Sequence, residues 1–429
     1  MEVPASHKIA APSHTAFRAE EWLRATSLDK RHMPTGVAVC LLLLMMYATA
    51  TVFVRSAWAL QSFQIGIFLL LAVYLLAGIR GRRERFAGGW TPWLVYLIPL
   101  WGIVQILAHT TASTFQTRET VLRWAALAGV FFLTQAVVCE QQDESLLLDA
   151  FLSFATAMAV LCLAQLFTSS GRVLWAFPTG YPDVYGTFPN HNNYVQFVEL
   201  ALPIALWSAL RRGVRSWWYG IAAGILYASA ISSASRAGAL LCTAEVIAVL
   251  AIGWAKLRTA RTLLLNRSAA TMLVMIPLLA ALLTLVVGWQ RVLHRFEQND
   301  VYLVRREYIA AAADMAKHRP FAGYGLGTFT EVYQRYATKD FPFYANHAHN
   351  DWAEFAADGG IPFLLLVLIP FVAIIPTALR HPWGLGLVAV MLHACVDFPF
   401  PRPAVSGWMF FLLGLLYMAR TRERRTATG

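Results

Sequence analysis

The sequence predicts an all-α, polytopic membrane protein with about 12 transmembrane helices and one long extracytoplasmic loop of short helices. Of its 429 residues, 58% are hydrophobic and only 14% are charged, and the mean hydropathy is +0.52. A soluble domain carries about 25% charged residues, so this composition indicates a membrane domain. The second observation is the spacing of the apolar runs, and the third is the placement of arginine between them.

The apolar runs are each long enough to cross the hydrocarbon core of a bilayer, which takes about 17 to 25 residues. The spans are predicted at 35–54, 58–79, 90–108, 120–139, 146–168, 194–210, 217–232, 237–255, 271–289, 361–379, 383–399 and 403–420.

Basic residues orient these spans, because lysine and arginine accumulate in short cytoplasmic loops. They cluster at 80–85, 211–215, 256–267, 380 and 420–425. Both termini are therefore predicted to face the cytoplasm, with the connections at 109–119, 169–193, 233–236, 290–360 and 400–402 on the opposite side. The formal net charge of +11 is explained by these topology signals, so no nucleic acid partner is expected.

The chain divides most simply into one membrane domain with an inserted loop subdomain. The expected parts are a cytoplasmic segment at 1–34, transmembrane helices 1 to 9 at 35–289, an extracytoplasmic subdomain carrying the active site at 290–360, helices 10 to 12 at 361–420 and a cytoplasmic tail at 421–429. Five cysteines fall within or at the ends of apolar runs without CxxC spacing, which favours neither a disulfide framework nor a zinc site.

The loop at 290–360 shows a pattern of short helices. Asn299 or Asp300 can cap a helix that runs to about Lys317, and the glycines at 323–327 make a turn. Thr328 and Glu331 then fit a capping box, and a third helix begins near Asn350 and stops at Gly359 and Gly360.

His347 and His349 are the first candidate site residues, because imidazoles beside a bilayer are costly unless they serve chemistry or recognition. Next to the helix that follows Asn350, the helix dipole favours a neutral imidazole. His349 is therefore the candidate base, although capping alone is the more common role of a lone histidine. A metal site is not predicted, since no third ligand has a recognisable spacing.

Arginines form the second candidate group. Arg236 ends a serine-rich string at the extracytoplasmic end of a span, and Arg305 and Arg306 lie on the first loop helix. Each can equally be an interfacial or solvated side chain. If Arg236 and Arg305 converge, their guanidinium forks suit a diphosphate.

Two asparagines and a histidine–aspartate pair complete the set of candidate site residues. Asn190 and Asn192 lie in a Gly-, Pro- and Asn-rich connection that either caps the next helix or hydrogen-bonds sugar or phosphate. His393 and Asp397 lie in a late span, where burial and pairing are more common than catalysis, with a role at the floor of the site as the alternative.

These residues together resemble the O-antigen ligase and polymerase superfamily. The resemblance is carried by Arg305-Arg306-Glu307, Ala312, Pro320, the glycine-rich stretch 323–329 and the string 347–351, preceded by Gly186-Thr187-Phe188, the asparagines at 190–193 and Ser235-Arg236. Their order, spacing and shared sidedness are more specific than any single motif.

The resemblance implies a GT-C-like, multi-pass glycosyltransferase of the bacterial inner membrane with a periplasmic active site. It implies undecaprenyl-diphosphate-linked glycan as donor and lipid A core as acceptor, membrane lipids as surroundings, a monomer, and neither metal nor other cofactor. By position, His349 matches the catalytic histidine, and Arg236 and Arg305 match the essential arginines, with Arg306 as the alternative to Arg305. His347, Asn350, Asn190 and Asn192 are expected to bind substrate.

Other functions remain open from the sequence. Within the superfamily, a polymerase or a protein O-oligosaccharyltransferase uses the same chemistry with another acceptor. A polytopic transporter or flippase is the alternative of a different class, and such folds tend to show two similar halves. Here the polar residues concentrate in one unrepeated loop.

Overall fold

The computed structural model describes residues 35–78, 86–138, 140–181, 183–211, 216–259, 278, 281–282, 301–339 and 345–428. Most of these residues are helical. The α-helices are α1 Thr35–Ala50, α2 Ala57–Gly78, α3 Leu94–Leu107, α4 Thr114–Val137, α5 Gln141–Thr168, α6 His191–Arg211, α7 Ser216–Ser232, α8 Arg236–Thr259, α9 Val301–His318, α10 Phe329–Val332, α11 Asp351–Val372, α12 Ile375–Arg380, α13 Leu385–His393 and α14 Pro403–Thr428.

Shorter elements join these helices. Turns of 3₁₀-helix lie at Thr91–Trp93, Tyr333–Arg335 and Pro382–Gly384. A two-stranded antiparallel hairpin pairs β1, Arg172–Val173, with β2, Phe177–Pro178. The all-helical prediction therefore holds for the described residues apart from this hairpin.

Several helices have the length and composition of membrane spans. Within the described residues, six segments qualify: Ala57–Ala77, Thr114–Val137, Gln141–Thr168, Arg236–Lys256, Asp351–Arg380 and Pro403–Ala427. Three shorter apolar helices are Thr35–Ala50, Thr91–Leu107 and Pro382–His393. These features make the chain a polytopic membrane protein. The expected number of about 12 transmembrane helices stays a prediction.

Each predicted apolar run except one coincides with a described helix. The run at 271–289, the segment at 1–34, the basic cluster at 80–85 and the caps at 299 and 300 lie outside the described residues, apart from helical positions at 278 and 281–282. The run at 383–399 was predicted too long, because α13 ends at His393. Asp397 stops helix continuation there, since its carboxylate accepts the backbone N–H of Phe398 at 3.0 Å and Pro399 follows.

Helix α14 lies at the centre of the bundle. It packs against α4, α1 and α6, and Trp408 and Phe410 on it are fully buried. The Trp408 ring stacks on Phe151 of α5 with 4.2 Å between centroids. A small residue lets α4 approach closely, since a Cβ at Gly414 would lie 3.0 Å from Thr134. Close backbone approach at small residues is the usual basis of helix packing in membranes.

The glycine-rich turn at 323–327 packs against a break in α11. The break is at Gly360, whose φ is 73°, a backbone conformation that glycine adopts without strain. The turn donates backbone N–H groups to that helix, from Tyr324 to the Ala357 carbonyl at 3.1 Å and from Gly325 to the Asp358 carbonyl at 2.8 Å. The predicted stop near 360 is therefore confirmed as a kink between a short helix and a span.

The predicted capping box at Thr328 is wrong. Thr328 precedes α10, but its hydroxyl makes no cap hydrogen bond. It donates instead to the Gly325 carbonyl at 2.7 Å, because the preceding turn brings that carbonyl closer than the N–H groups of the short helix.

Polar connections meet at one end of the bundle. The Ala112 N–H donates to the Tyr324 carbonyl at 2.7 Å, and the Asp351 N–H donates to the Ala394 carbonyl at 2.9 Å. The other end carries charge pairs, among them Arg380 with Glu423 at 3.0 Å and Arg422 with Glu144. Of the connections that arginine placement predicts to share one side, those at 109–119 and 290–360 are therefore in contact.

Candidate active site

His349 lies directly before α11 with its side chain held against the α13–α14 connection. Its Nδ1 is 3.3 Å from Oδ1 of Asp397, and the imidazole is 27% exposed whereas the carboxylate is fully buried. Its ring meets Phe398 edge to face, with centroids 4.9 Å apart. Nδ1 lies within ion-pair distance of the carboxylate without forming a hydrogen bond to it, and Nε2 lies on the other side of the ring.

Asp397 carries a negative charge in this buried position. Burial by itself raises the pKa of a carboxyl group, but the interaction with His349 and the nearby charges of His349, His393 and Arg305 lower the pKa of Asp397 below its usual value. Asp397 lies in the connection after α13 and outside the spans. The group is therefore an ionised partner for the histidine ring.

Arg305 reaches the same connection from α9. Its Nη1 donates to the Val396 carbonyl at 3.1 Å, and its charge acts on Asp397 and His393. Arg306, the next residue, is exposed. Of the two arginines that the sequence left open, Arg305 is the one that contacts the α13–α14 connection.

His347 occupies a neighbouring position with a carboxylate partner of its own. Its Nδ1 is 2.9 Å from Oε1 of Glu354, and the other oxygen of Glu354 accepts the Ala348 N–H at 2.7 Å. The His347 ring stacks on Phe398 at 4.6 Å between centroids. Phe398 thus contacts both imidazoles and fixes their separation.

The amides predicted to bind substrate all make local hydrogen bonds. Asn350 caps α11, since its side-chain oxygen accepts the Ala353 N–H at 3.0 Å. Asn190 accepts the Asn192 N–H at 2.8 Å, and Asn192 accepts the Ser235 hydroxyl at 2.8 Å. The alternative of helix capping therefore describes Asn350 and Asn190, and their contact with substrate stays a prediction.

Arg236 begins α8 immediately after Ser235. The bond from Ser235 to Asn192 places the N-termini of α6 and α8 side by side, and α13 packs against both helices. Arg236 therefore lies where the N-termini of α6 and α8 meet. Its convergence with Arg305 on one ligand stays a prediction.

Four residues of this region make contacts that the sequence analysis did not predict. Glu354 holds His347, Asp397 holds His349, Arg402 lies 5.4 Å from the centroid of the Phe398 ring, and Arg123 of α4 lines a cavity beside His347. The sequence analysis placed Asp397 in a late span, with a role at the floor of the site as the alternative. The i, i+4 spacing between His393 and Asp397 was the sequence signal that could have identified it. His393 itself pairs with buried Glu199 at 2.7 Å.

Metal-ligating side chains do not cluster in the described part of the chain. Among those residues there is no group of three or more His, Cys, Asp or Glu side chains that is arranged to hold a metal ion.

Comparison with known proteins adds one match. Residues 221–368 match the family model described as O-antigen ligase, whereas no curated protein matched the chain. The matched segment contains Arg236, Arg305, His347 and His349, and Asp397 lies beyond it. Residues 221–368 are thus similar to the O-antigen ligase family.

Proposed function

We propose that this protein transfers a glycan from undecaprenyl diphosphate to a sugar hydroxyl of lipid A core, at the periplasmic leaflet of the bacterial inner membrane. The observation that carries the proposal is the contact between His349 and Asp397, with Arg305 bound to the same connection. This arrangement places the candidate base His349 beside the carboxylate of Asp397 and near the guanidinium group of Arg305. The O-antigen ligase match covers the histidine and both arginines.

His349 acts as the general base in this proposal. Asp397 holds the proton-bearing Nδ1, so that Nε2 accepts the proton of the acceptor hydroxyl as it attacks. The carboxylate then stabilises the imidazolium that forms, as in other carboxylate–histidine pairs. The acceptor oxygen bonds to the anomeric carbon, and the bond from that carbon to the diphosphate oxygen breaks.

The electron pair of the broken bond remains on the diphosphate. Arg305, with Arg236 from the N-terminus of α8, stabilises that charge, because guanidinium groups donate two parallel hydrogen bonds to anionic oxygens. A single displacement inverts the configuration at the anomeric carbon. Since fixed cations neutralise the leaving group, the reaction is proposed to need no metal.

The test is transfer by purified protein in detergent, with undecaprenyl-diphosphate-linked glycan and rough lipopolysaccharide in the presence of excess chelator. We expect the wild type to form product and His349→Ala to lower the initial rate by at least about 100-fold, the usual contribution of a positioned base. His318→Ala, an exposed histidine on α9, is the matched control and should retain the wild-type rate.

The outcomes separate the alternatives. Equal rates for His349→Ala and the control would remove His349 from the mechanism. A lengthened lipid-linked glycan in the absence of lipopolysaccharide would identify a polymerase instead. No product with any lipid-linked donor would favour the transporter.

A further inference from the structure

A cavity of about 150 Å³ lies beside His347, between α4, the glycine-rich turn and the first turns of α11. A single water needs only about 10–15 Å³ of such space. The cavity therefore has room for a molecule of roughly ten heavy atoms, about the size of one sugar ring. His347 lines it, and His349, Arg305 and Arg236 do not.

Two polar atoms at this cavity lack hydrogen-bond partners among the described residues. They are Nε of Arg123 and Oδ1 of Asp358, and both residues line the cavity. Leaving a buried donor or acceptor unpaired costs free energy, and an arginine within a membrane span is costly unless it is paired. A ligand that supplies both a hydrogen-bond acceptor and a donor would satisfy the two atoms.

The charges on the wall define the class of that ligand. Arg123 disfavours a cation, and the carboxylate of Glu354 disfavours an anion such as a phosphate. A neutral molecule whose hydroxyls both donate and accept suits all three groups. Trp124, Phe355 and Phe400 add aromatic faces, which pack against the C–H faces of such a ring. Hydroxyl groups on a compact, partly apolar ring are the chemistry of a pyranose.

Phe398 contacts both a residue of the cavity wall and the proposed catalytic base. The ring of His347, which lines the cavity, stacks on Phe398, and His349 contacts the edge of the same Phe398 ring. Arg305 and Asp397 lie with His349. The diphosphate of the donor therefore belongs with His349 and Arg305, and the cavity offers a separate position for the other glycan.

We propose that the cavity of Arg123, Glu354 and Asp358 binds a sugar ring of the acceptor, next to the ring whose hydroxyl reaches His349. This assignment rests on the proposed function and names its acceptor subsite. Arg123 accepts no proton and touches no reacting atom, and it acts by binding the ring next to the histidines.

The kinetic test is Arg123→Gln, measured with rough lipopolysaccharide varied at saturating undecaprenyl-diphosphate-linked glycan, and then with the donor varied. We expect the KM for the acceptor to rise about tenfold, because a lost charged hydrogen bond to a ligand is worth about that much. The KM for the donor should stay unchanged. Arg118→Gln, an exposed arginine on the same helix, is the control and should change neither.

Thermal unfolding in detergent shows whether Arg123→Gln folds. If it does not, Asn346→Ala replaces it, since Asn346 is an exposed side chain on the cavity wall, and its acceptor KM should rise at least about threefold. An acceptor KM that stays at the wild-type value in the folded variant overturns the proposal. A rise confined to the donor KM also overturns it, because the cavity would then hold the donor sugar.

A binding measurement separates this proposal from the proposed function. Thr330→Cys places a thiol on the cavity wall, and its modification by a maleimide is followed by mass spectrometry at that residue. Rough lipopolysaccharide should slow the modification at least about fivefold, whereas undecaprenyl diphosphate should not. Protection without any transfer product would sustain the sugar site and reject the transferase. Transfer without protection would reject the sugar site alone.

Discussion

His349 adopts a backbone φ of 54°, which is uncommon for a residue other than glycine. Such a conformation costs free energy and persists only where the surroundings impose it, often at functional sites. Here the surroundings are the Asn350 cap on one side and Phe398 and Asp397 on the other. The backbone turns the imidazole away from α11 and toward the carboxylate.

Asp397→Asn should lower the rate of transfer with little change in either KM. The amide keeps the size of the side chain but removes the charge that stabilises the imidazolium and selects the tautomer. We expect kcat to fall at least about tenfold, a typical loss for an orienting partner. Initial rates at varied donor and acceptor check this, and a change confined to KM would contradict the positioning role.

The stability that Asp397 contributes should depend on pH in a defined direction. Because its pKa is lower in the folded protein, the carboxylate binds protons less readily there than in the unfolded chain. Its contribution is therefore full above the ordinary aspartate pKa, near about 3.9, and is lost as the pH falls through the lower folded value. The Tm difference between the wild type and Asp397→Asn should shrink as the pH falls below about 3.9, and a difference that stays unchanged through that range would contradict this.

At the scale of elements, the kink in α11 positions the site. Gly360 separates the short helix that carries Glu354 and Asp358 from the span that follows. The Ile361 N–H donates to the Pro320 carbonyl at 2.7 Å, which anchors the loop after α9 to this point. The glycine-rich turn and α11 therefore form one unit.

Gly360→Ala should destabilise this unit. An alanine Cβ would lie 2.5 Å from the Phe321 carbonyl oxygen, and the positive φ adds strain of about 1–3 kcal/mol. We expect a lower Tm in detergent and a lower transfer rate. Gly88→Ala is the control, because a Cβ there meets nothing within 4 Å. Equal unfolding temperatures for the two variants would show that the kink tolerates a side chain.

The sequence predicted helices well and side-chain partners poorly, for a physical reason. Apolar runs and the pair Gly359-Gly360 are local signals, so α9 and the stop in α11 were predicted correctly. The partners of His347 and His349 depend on contacts across the chain, and Asp397 lies 48 residues beyond His349 by number. The local hydrogen bonds of Asn350 and Asn190 were among the alternatives that the sequence left open, and the binding of substrate by these amides stays a prediction.

At the scale of the whole molecule, the two ends of the bundle differ in chemistry. One end holds the histidines, Asp397 and the glycine-rich turn. The other holds the arginine pairs with Glu144 and Glu423. From the rule that basic loops remain in the cytoplasm, we propose that the first end is periplasmic.

Labelling of single cysteines tests this orientation. In a background without the native cysteines, Lys339→Cys should react with an impermeant maleimide added to intact spheroplasts, since it is exposed near the site. Ala427→Cys, exposed at the other end of the bundle, should react only after permeabilisation. The reverse pattern would place the histidines in the cytoplasm and reject a periplasmic reaction.

The central position of α14 has a consequence for biogenesis. The ribosome synthesises α14 after the other described helices, so its neighbours enter the bilayer first and must leave a gap that α14 later fills. The connection bearing Asp397 and Phe398 immediately precedes α14 and reaches its final place only when that helix is seated. A nascent chain that ends before this connection therefore lacks the partner of His349.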